Sequence, residues 1–245
     1  DAEKWSITVE LGGVEGSELA AAAEVALDEA SRVKFPPGVV VEVLTSGGPE
    51  VDETIRGGAV LNFELGGYGS LTCTSGWPVK KTNGSSEGLV TAAHCAGHYY
   101  DSGRDVLTYV AWVPKSSGDI EYRKSTEAVG HEFYYGVGNY RDIDAPYGSA
   151  TDDQSICFFG RTTGNHCDTV RNPTICVGDF SNLVEMHNHE TDGGDSGGPW
   201  YVGSHPYGVH KGSHVSLFKR RAIWTPINNT LNNDLSLNIK LGSDG

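Results

Sequence analysis

The chain has 245 residues, 33 glycines and a formal net charge of −14. Its length allows a sizeable buried core, and its acidity argues against nucleic acids and anionic membrane surfaces as partners. No apolar run approaches the roughly 20 residues of a membrane-spanning helix. The first residues lack the basic start and apolar stretch of a signal peptide, so we expect any secretion signal to have been removed before Asp1.

Residues 1–54 differ from the rest of the chain in charge. They contain twelve Asp and Glu against three Lys and Arg, and so carry −9 of the total charge of −14. Alternation over residues 5–11 predicts a strand, the Ala- and Glu-rich run over 17–33 predicts an amphipathic helix, and the apolar run over 39–44 predicts a second strand. We therefore predict a small acidic βαβ module that ends in a linker.

From Ile55 onward the sequence changes to short strand patterns separated by turn signals. Gly66-Gly67, Asn83-Gly84 and Thr163-Gly164-Asn165 are examples of these turns. Short strands at such spacing favour a β-sandwich or β-barrel.

The most informative stretch is Gly193-Gly194-Asp195-Ser196-Gly197-Gly198-Pro199. Glycines on both sides of Ser196 allow a tight turn that exposes the hydroxyl and directs successive N–H groups to one point. The amides of Gly194 and Ser196 are candidates for an oxyanion hole. A glycine-rich stretch on its own is usually only a turn.

A second stretch, Leu89-Val90-Thr91-Ala92-Ala93-His94-Cys95, ends an apolar strand pattern with a histidine beside a cysteine. His94 is one of nine histidines, and alone it would be read as structural. Together with Ser196 it becomes a candidate general base. The spacings of Cys73 and Cys157 to the next cysteine suit short disulfide-closed loops, and an odd total of five leaves one unpaired.

Thr91-Ala92-Ala93-His94-Cys95 and Gly194-Asp195-Ser196-Gly197-Gly198-Pro199 resemble, in this order, the two signatures of the chymotrypsin-like serine proteases. Residues 157–167 resemble the bacterial secreted branch, that of streptogrisin, α-lytic protease and the glutamyl endopeptidases. The resemblance covers about residues 55–239. It implies an all-β domain over 55–245 with two six-stranded antiparallel Greek-key barrels, at about 55–145 and 146–245. It also implies the disulfides Cys73–Cys95 and Cys157–Cys167.

The resemblance further implies a secreted serine endopeptidase with a Ser-His-Asp triad and no cofactor. Two positions compete for the aspartate. Asp119 begins a segment that resembles the strand of the catalytic aspartate in the bacterial branch, whereas Asp142-Ile143-Asp144-Ala145 resembles the motif of the animal enzymes. We favour Asp119, because the residues between it and Cys157 then fill the crossing between the barrels.

By the same resemblance, residues His210, Lys211, Gly212 and Ser213 form the substrate-binding strand. His210 and Ser213 resemble the pair that binds glutamate in the glutamate-specific members, where a histidine and a hydroxyl hold a carboxylate. The alternative is that His210 only packs beneath the pocket. Lys211 replaces a serine that usually touches the catalytic aspartate, and its side chain points either to that aspartate or to solvent.

Other departures concern Asp195 and the cysteines. Phe158 replaces an arginine that usually pairs with the aspartate before the nucleophile, so Asp195 needs another partner. Arg161 is one candidate, and a new amino terminus at Ile55 is the other. No cysteine follows Cys176, which we expect to be the odd, buried thiol.

Residues 1–54 resemble the prosegment module of α-lytic protease relatives, which implies a zymogen and an intramolecular chaperone or inhibitor. We expect protein or peptide substrates, a monomer, and neither nucleic acid nor membrane as a partner. His187, His189 and Glu190 suggest a surface loop rather than a metal site, so no metal is expected. The alternatives to a peptidase are a catalytically silent binding protein, a permanently inhibited precursor, and an esterase with the same nucleophile.

Overall fold

The computed structural model describes residues 6–10, 40–44, 54–64, 70–95, 99–100, 107–228 and 230–242. The chain divides into two compact units, Asp1–Glu53 and Thr54–Gly245. In the first unit, strands β1 (Ser6–Glu10) and β2 (Val40–Leu44) pair in parallel. The helix predicted over 17–33 and the linker predicted before Thr54 lie outside the described residues.

The described part of the second unit consists mainly of strands, in two lobes. The strands of the first lobe are β3 (Ile55–Gly57), β4 (Val60–Glu64), β5 (Ser70–Thr74), β6 (Pro78–Lys81), β7 (Glu87–Thr91), β8 (Tyr99–Tyr100), β9 (Leu107–Trp112), β10 (Glu121–Ser125), β11 (Val129–Gly136) and β12 (Asn139–Asp142). Two 3₁₀ turns accompany them, at Ala93–Cys95 and Lys115–Ser117.

The second lobe contains β13 (Ser155–Gly160), β14 (Gly164–Val177), β15 (Phe180–Met186), β16 (Pro199–Val202), β17 (His205–Ser216) and β18 (Lys219–Pro226). These strands form a closed barrel in the order β13-β14-β15-β18-β17-β16, and its pairings are antiparallel. A short helix, α1 (Thr230–Leu235), and strand β19 (Leu237–Ile239) follow. The all-β prediction is thereby confirmed.

The described strands of the first lobe form three sheets. Their orders are β19-β6-β7-β10-β9, β12-β11-β3 and β5-β4-β8. Strand β19 therefore belongs to a sheet of the first lobe, although it follows the second barrel in sequence, and its pairing with β6 sets Leu237 opposite Lys81. None of the helices in the described ranges is long and apolar enough to cross a membrane.

The two lobes share one hydrophobic core. Trp77 and Phe133 of the first lobe are fully buried, and their ring centroids lie 4.9 Å apart. Phe133 also lies 4.9 Å from the ring of Tyr201 in the second barrel, and the indole N–H of Trp77 donates to the carbonyl of Gly208. Close packing of this kind resists deformation, so the seam between the lobes is a firm support for side chains that meet there.

Candidate active site

His94 is held at the end of a buried strand. Strand β7 ends at Thr91, and the 3₁₀ turn that follows places His94 on the surface while Cys95 is buried. A disulfide joins Cys95 to Cys73 on the neighbouring β5, as the resemblance implied. The backbone next to the imidazole is therefore fixed on one side by the sheet and on the other by a covalent bond.

Asp119 meets the imidazole from the loop before β10. Its carboxylate oxygen Oδ2 lies 2.6 Å from Nδ1 of His94, and its side chain is only 1% exposed. The backbone N–H of Asp119 donates to the Thr225 hydroxyl at 2.9 Å. Gly118 has φ +125°, and a Cβ there would lie 2.1 Å from Cγ2 of Thr225, so glycine is required for this close approach.

The charge of Asp119 is stabilised despite its burial. Burial alone would raise the pKa of this carboxyl, but the hydrogen bond and charge of His94, followed by those of Lys211, hold the pKa below its ordinary value. The competing aspartates lie elsewhere: Asp142 pairs with His131 on the surface, and Asp144 accepts a hydrogen bond from Ser204. The structure therefore brings Asp119 to His94.

The loop that carries Ser196 packs against the same two strands that hold His94. The carbonyl of Ser196 accepts a hydrogen bond from the N–H of Thr74 at 2.7 Å, and it lies 3.7 Å from Sγ of Cys95. Gly197 has φ +90°, and a Cβ there would lie 2.1 Å from the carbonyl oxygen of Thr74. The backbone of Ser196 is thus anchored to Thr74 at the end of β5, and the disulfide of the preceding Cys73 connects this strand to the residue after His94. Among the described residues, neither the Ser196 hydroxyl nor Nε2 of His94 has a hydrogen-bond partner.

Asp195 is fully buried beside this serine and is bound by neutral donors. Its Oδ1 accepts the N–H groups of Thr162 and Thr163, at 2.9 and 3.1 Å. Its Oδ2 accepts the Thr163 hydroxyl and the N–H of Asp192, at 2.7 and 2.8 Å. The sequence had suggested Arg161 or a new amino terminus at Ile55 as its partner. The structure corrects the first suggestion, whereas the second concerns a chain cleaved after Thr54 and stays a prediction.

In the uncleaved chain both candidates have other partners. Ile55 is fully buried within β3, and its N–H donates to the carbonyl of Ala128. Arg161 extends its guanidinium over the ring of Tyr134, while its backbone N–H donates to the Thr74 hydroxyl. The tight turn after β13 instead directs two successive backbone amides at Asp195.

The amides proposed for the oxyanion hole are available. The carbonyl of Gly193 accepts a hydrogen bond from the Thr162 hydroxyl at 2.8 Å. In a trans peptide the N–H, here that of Gly194, points opposite to the carbonyl. The N–H of Gly194 therefore points away from Thr162. Within the described ranges, the N–H groups of Gly194 and Ser196 donate to no protein acceptor. Gly194 adopts φ +99°, where a side chain would be strained.

The chain is similar to several solved protease structures. No family model and no curated protein matches the chain. Among solved structures, Thermobifida fusca protease A matches with 26% identity and a TM-score of 0.62, over 77% of this chain and 100% of that one. A glutamic acid-specific serine protease that uses a histidine triad in substrate binding matches with 27% identity and a TM-score of 0.61, over 76% and 100%. An alpha-lytic protease homologue matches with 26% identity and a TM-score of 0.60, over 76% and 100%.

The chain has the chymotrypsin-like serine protease fold. These neighbours confirm the sequence prediction of a serine protease of the chymotrypsin type and the bacterial branch within it. They also confirm the trypsin-like fold class.

In this protease the second predicted disulfide, Cys157–Cys167, is formed across the hairpin of β13 and β14. The expectation that Cys176 is buried is wrong. Cys176 is an exposed free thiol, and its Sγ donates to the Ser181 hydroxyl at 3.4 Å. It lies in the outer part of the long strand β14, beyond the part that faces the barrel core.

Lys211 points toward the aspartate rather than to solvent. Its Nζ donates to Oδ2 of Asp119 at 2.8 Å, the same oxygen that His94 contacts. The ammonium also lies 3.6 Å from the ring centroid of Phe180, and the side chain is only 16% exposed. The ammonium of Lys211 is therefore fixed by the carboxylate of Asp119 and the aromatic face of Phe180.

His210 is fully buried on β17 next to the Ser196 loop, where its N–H donates to the carbonyl of Gly198 and its carbonyl accepts the N–H of Gly197. We call the space beside Ser196 that residues 210–213 are predicted to border the primary pocket. Nδ1 of His210 accepts the indole N–H of Trp200 at 3.3 Å, and the His210 ring lies 4.8 Å from that of Phe158. Burial, followed by the charges of His94, His189 and Lys211, lowers the pKa of His210 to about 3. The imidazole is neutral, and its Nε2 carries the proton.

Sequence reasoning missed an apolar cavity of about 300 Å³ beside His94 and Asp119. Phe180 and the exposed Trp112 form its walls, together with Val113. Phe180 lies in the second barrel and the other two in the first lobe, so no local pattern could connect them. The predicted loop of histidines also lies away from this centre: His187 is near Asp153, and Glu190 pairs with His166.

Proposed function

We propose that the chain is a secreted serine endopeptidase in which Ser196 is the nucleophile, His94 the general base and Asp119 the residue that orients the base. The contact of 2.6 Å between His94 Nδ1 and the buried Asp119 carboxylate carries this proposal. A carboxylate at Nδ1 fixes the tautomer whose Nε2 accepts a proton. Similarity at 26–27% identity to three serine proteases supports it.

The reaction is acyl transfer. Ser196 Oγ attacks the peptide carbonyl carbon while its proton passes to His94 Nε2, and the carbonyl oxygen becomes an oxyanion held by the N–H groups of Gly194 and Ser196. The C–N bond then breaks, and the proton moves from His94 to the leaving amine. Water attacks the resulting ester, again with His94 as base, and releases the acid and the free serine. Each oxyanion donor is worth about 3 to 4 kcal/mol.

The donors of this oxyanion hole depend on two anchors of the loop. Thr162 holds the Gly193 carbonyl, and Asp195 holds the turn from the other side through Thr163 and Asp192. Both anchors exist before substrate arrives. Preorganised donors need no reorientation during the reaction, which is the main source of this kind of stabilisation.

We also propose that the enzyme prefers to cleave after glutamate. One of the similar structures is a glutamic acid-specific protease with 27% identity. Here His210 offers a neutral N–H at Nε2, and Ser213 offers a hydroxyl on the same strand. The side chain of Lys211 is directed to Asp119 instead. Gly212, with φ +143°, allows the strand to bend between His210 and Ser213.

We propose further that residues 1–54 are a prosegment that assists folding and inhibits the enzyme, with cleavage after Thr54. The acidic composition of this segment and its parallel strands β1 and β2 support a separate module. Intact mass measurement of the purified protein distinguishes cleaved from uncleaved chains.

The proposal that the protein is secreted is supported by its two disulfides, which suit an oxidising, extracellular compartment. A monomer is expected on gel filtration.

Labelling with a fluorophosphonate tests the peptidase proposal. A competent triad modifies Ser196, and the purified protein then cleaves a peptide library. Ser196→Ala and His94→Ala serve as controls that remove the label and the cleavage. An unlabelled, folded wild-type protein would favour the silent binding protein, whereas ester turnover without peptide cleavage would favour an esterase.

A further inference from the structure

A carboxylate in the primary pocket is bound more strongly with a positive charge nearby, and His210 does not supply one. Its ring is enclosed by Trp200 and Phe158, and its Nδ1 is occupied by the indole N–H. It therefore offers a single neutral donor at Nε2. Asp195 is buried with four neutral donors around it, but His210 and Ser213 offer a glutamate side chain only two, so a cation from another element would compensate the remaining cost of desolvation.

The β17–β18 hairpin is a source of cations. Residues 205–226 contain four Lys and Arg and no Asp or Glu, although the chain as a whole has a net charge of −14. Three of the four cations are directed elsewhere. Lys211 contacts Asp119, Lys219 donates to the side chain of Asn188, and Arg221 donates to the carbonyl of His187.

The fourth cation, Arg220, contacts Ser213, a residue of the predicted pocket. Its Nε donates to the hydroxyl of Ser213 at 2.8 Å. In the hairpin register Ser213 lies opposite Ala222 and Val215 opposite Arg220, so the two polar side chains share one face of the sheet. Within the described part of the chain, only Nε of this exposed guanidinium has a protein acceptor, which leaves its four Nη hydrogens to bind a carboxylate.

A second observation connects Arg220 to His210. Burial, followed by the charge of Arg220, lowers the pKa of His189. His189 in turn is among the groups whose charge acts on His210. His189 therefore lies within electrostatic range of both Arg220 and His210. The carboxylates of Asp192 and Asp195 also act on His189, and their charges raise its pKa.

We propose that Arg220 is the cation that recognises the carboxylate of the residue before the scissile bond, with Ser213 and His210 as neutral donors. The inference rests on the endopeptidase function proposed above. The guanidinium is well suited to this role, because its planar fork binds a carboxylate through two parallel hydrogen bonds. The hydrogen bond from Nε to Ser213 directs the fork before substrate binds.

Two peptides that differ only in Glu or Gln before the cleaved bond test this assignment. In wild-type protein the Glu peptide has the higher kcat/KM. Arg220→Ala lowers the Glu-to-Gln ratio of kcat/KM at least about tenfold, and Arg220→Lys lowers it less, because the charge remains while the fork is lost. Lys219→Ala is the matched control, an adjacent exposed cation that turns to Asn188, and it leaves the ratio unchanged.

An unchanged ratio in Arg220→Ala, or an equal loss for both peptides, would overturn the assignment while active wild-type enzyme kept the endopeptidase proposal intact. Binding measured on Ser196→Ala protein removes the dependence on turnover. There, a peptide ending in Glu-amide should bind at least about tenfold more tightly than its Gln counterpart, and Arg220→Ala should abolish the difference. Equal binding of the two peptides to protein that retains Arg220 would also contradict the assignment.

Discussion

The active site contains two buried carboxylates that are held in different ways. Asp119 lies at the seam of the lobes and is bound by two side chains that can carry charge, His94 and Lys211. Asp195 lies in the second lobe, and among the described residues its partners are only backbone amides and a hydroxyl. In the proposed mechanism the first must respond to an imidazole that gains and loses a proton, whereas the second must hold a loop still at every stage of the reaction.

This difference indicates that neutral and charged partners have separate roles at the two carboxylates. Neutral donors do not titrate near neutral pH, so the loop around Asp195 keeps its shape as protons move. Charged partners strengthen or weaken the field on the base and so couple Asp119 to the chemistry. Variants at the two aspartates should therefore fail by different routes.

The largest effect is expected at Asp119. Asp119→Asn should keep the fold but favour the wrong tautomer of His94, and kcat should fall by about 10⁴-fold. Steady-state kinetics on a peptide substrate measures this loss. Asp142→Asn is the matched control, since Asp142 pairs with His131 on the surface, and it should retain activity within about twofold. A comparable loss in the control would transfer the catalytic role to the other aspartate.

A smaller effect, on stability, is expected at Asp195. Asp195→Ala leaves the N–H groups of Thr162, Thr163 and Asp192 unsatisfied around a buried position, and should lower the free energy of unfolding by about 3 kcal/mol. Urea titration measures it. Asp179→Ala, which removes an exposed pair with Lys115, should cost less than about 1 kcal/mol. Equal costs would contradict the anchoring role of Asp195.

The smallest effect is a shift in pH dependence at Lys211. Lys211→Met removes a cation that lowers the pKa of Asp119, so that pKa should rise toward its ordinary value. A depressed carboxyl pKa stabilises the folded state above the unfolded value and loses this contribution as pH falls through the folded value. The variant should therefore lose activity and stability at a higher pH than the wild type on the acid side.

Profiles of kcat/KM and of unfolding against pH measure this shift. Lys219→Met, which removes a cation bound to Asn188, should leave both profiles in place. A Lys211→Met profile that superimposes on the wild type would show that the lysine does not act on Asp119. Asp119 would then not differ from Asp195 through the charge of Lys211.

Much of this site followed from the sequence because its constraints are local. The glycines around Ser196 and the strand that ends in His94-Cys95 each impose local backbone requirements, and the resemblance that these stretches and residues 157–167 carry implied both disulfides. The contact between His94 and Asp119 also agrees with the preferred aspartate, although its catalytic role stays a prediction.

Other features depend on which residue, distant in sequence, forms a given contact, and local sequence patterns do not determine that choice. Asp195 could have been satisfied by any donor in reach, and the turn at Thr162 and Thr163 supplied it. The long side chain of Lys211 has several possible directions, and the ring of Phe180 from another strand selected one. Cys176 became exposed because β14 extends beyond the barrel core.

The pairing of β19 with β6 has a consequence for how the molecule assembles. Lys81 Nζ donates to the carbonyl of Leu235, a partner 154 positions later, and Leu231, Leu235 and Leu237 fill the core that the lobes share. The sheet that supports His94 is thus completed by residues that come after the entire second barrel. Contacts so distant in sequence slow folding, and Ser196 and His94 can take their places only after nearly the whole polypeptide has folded around them.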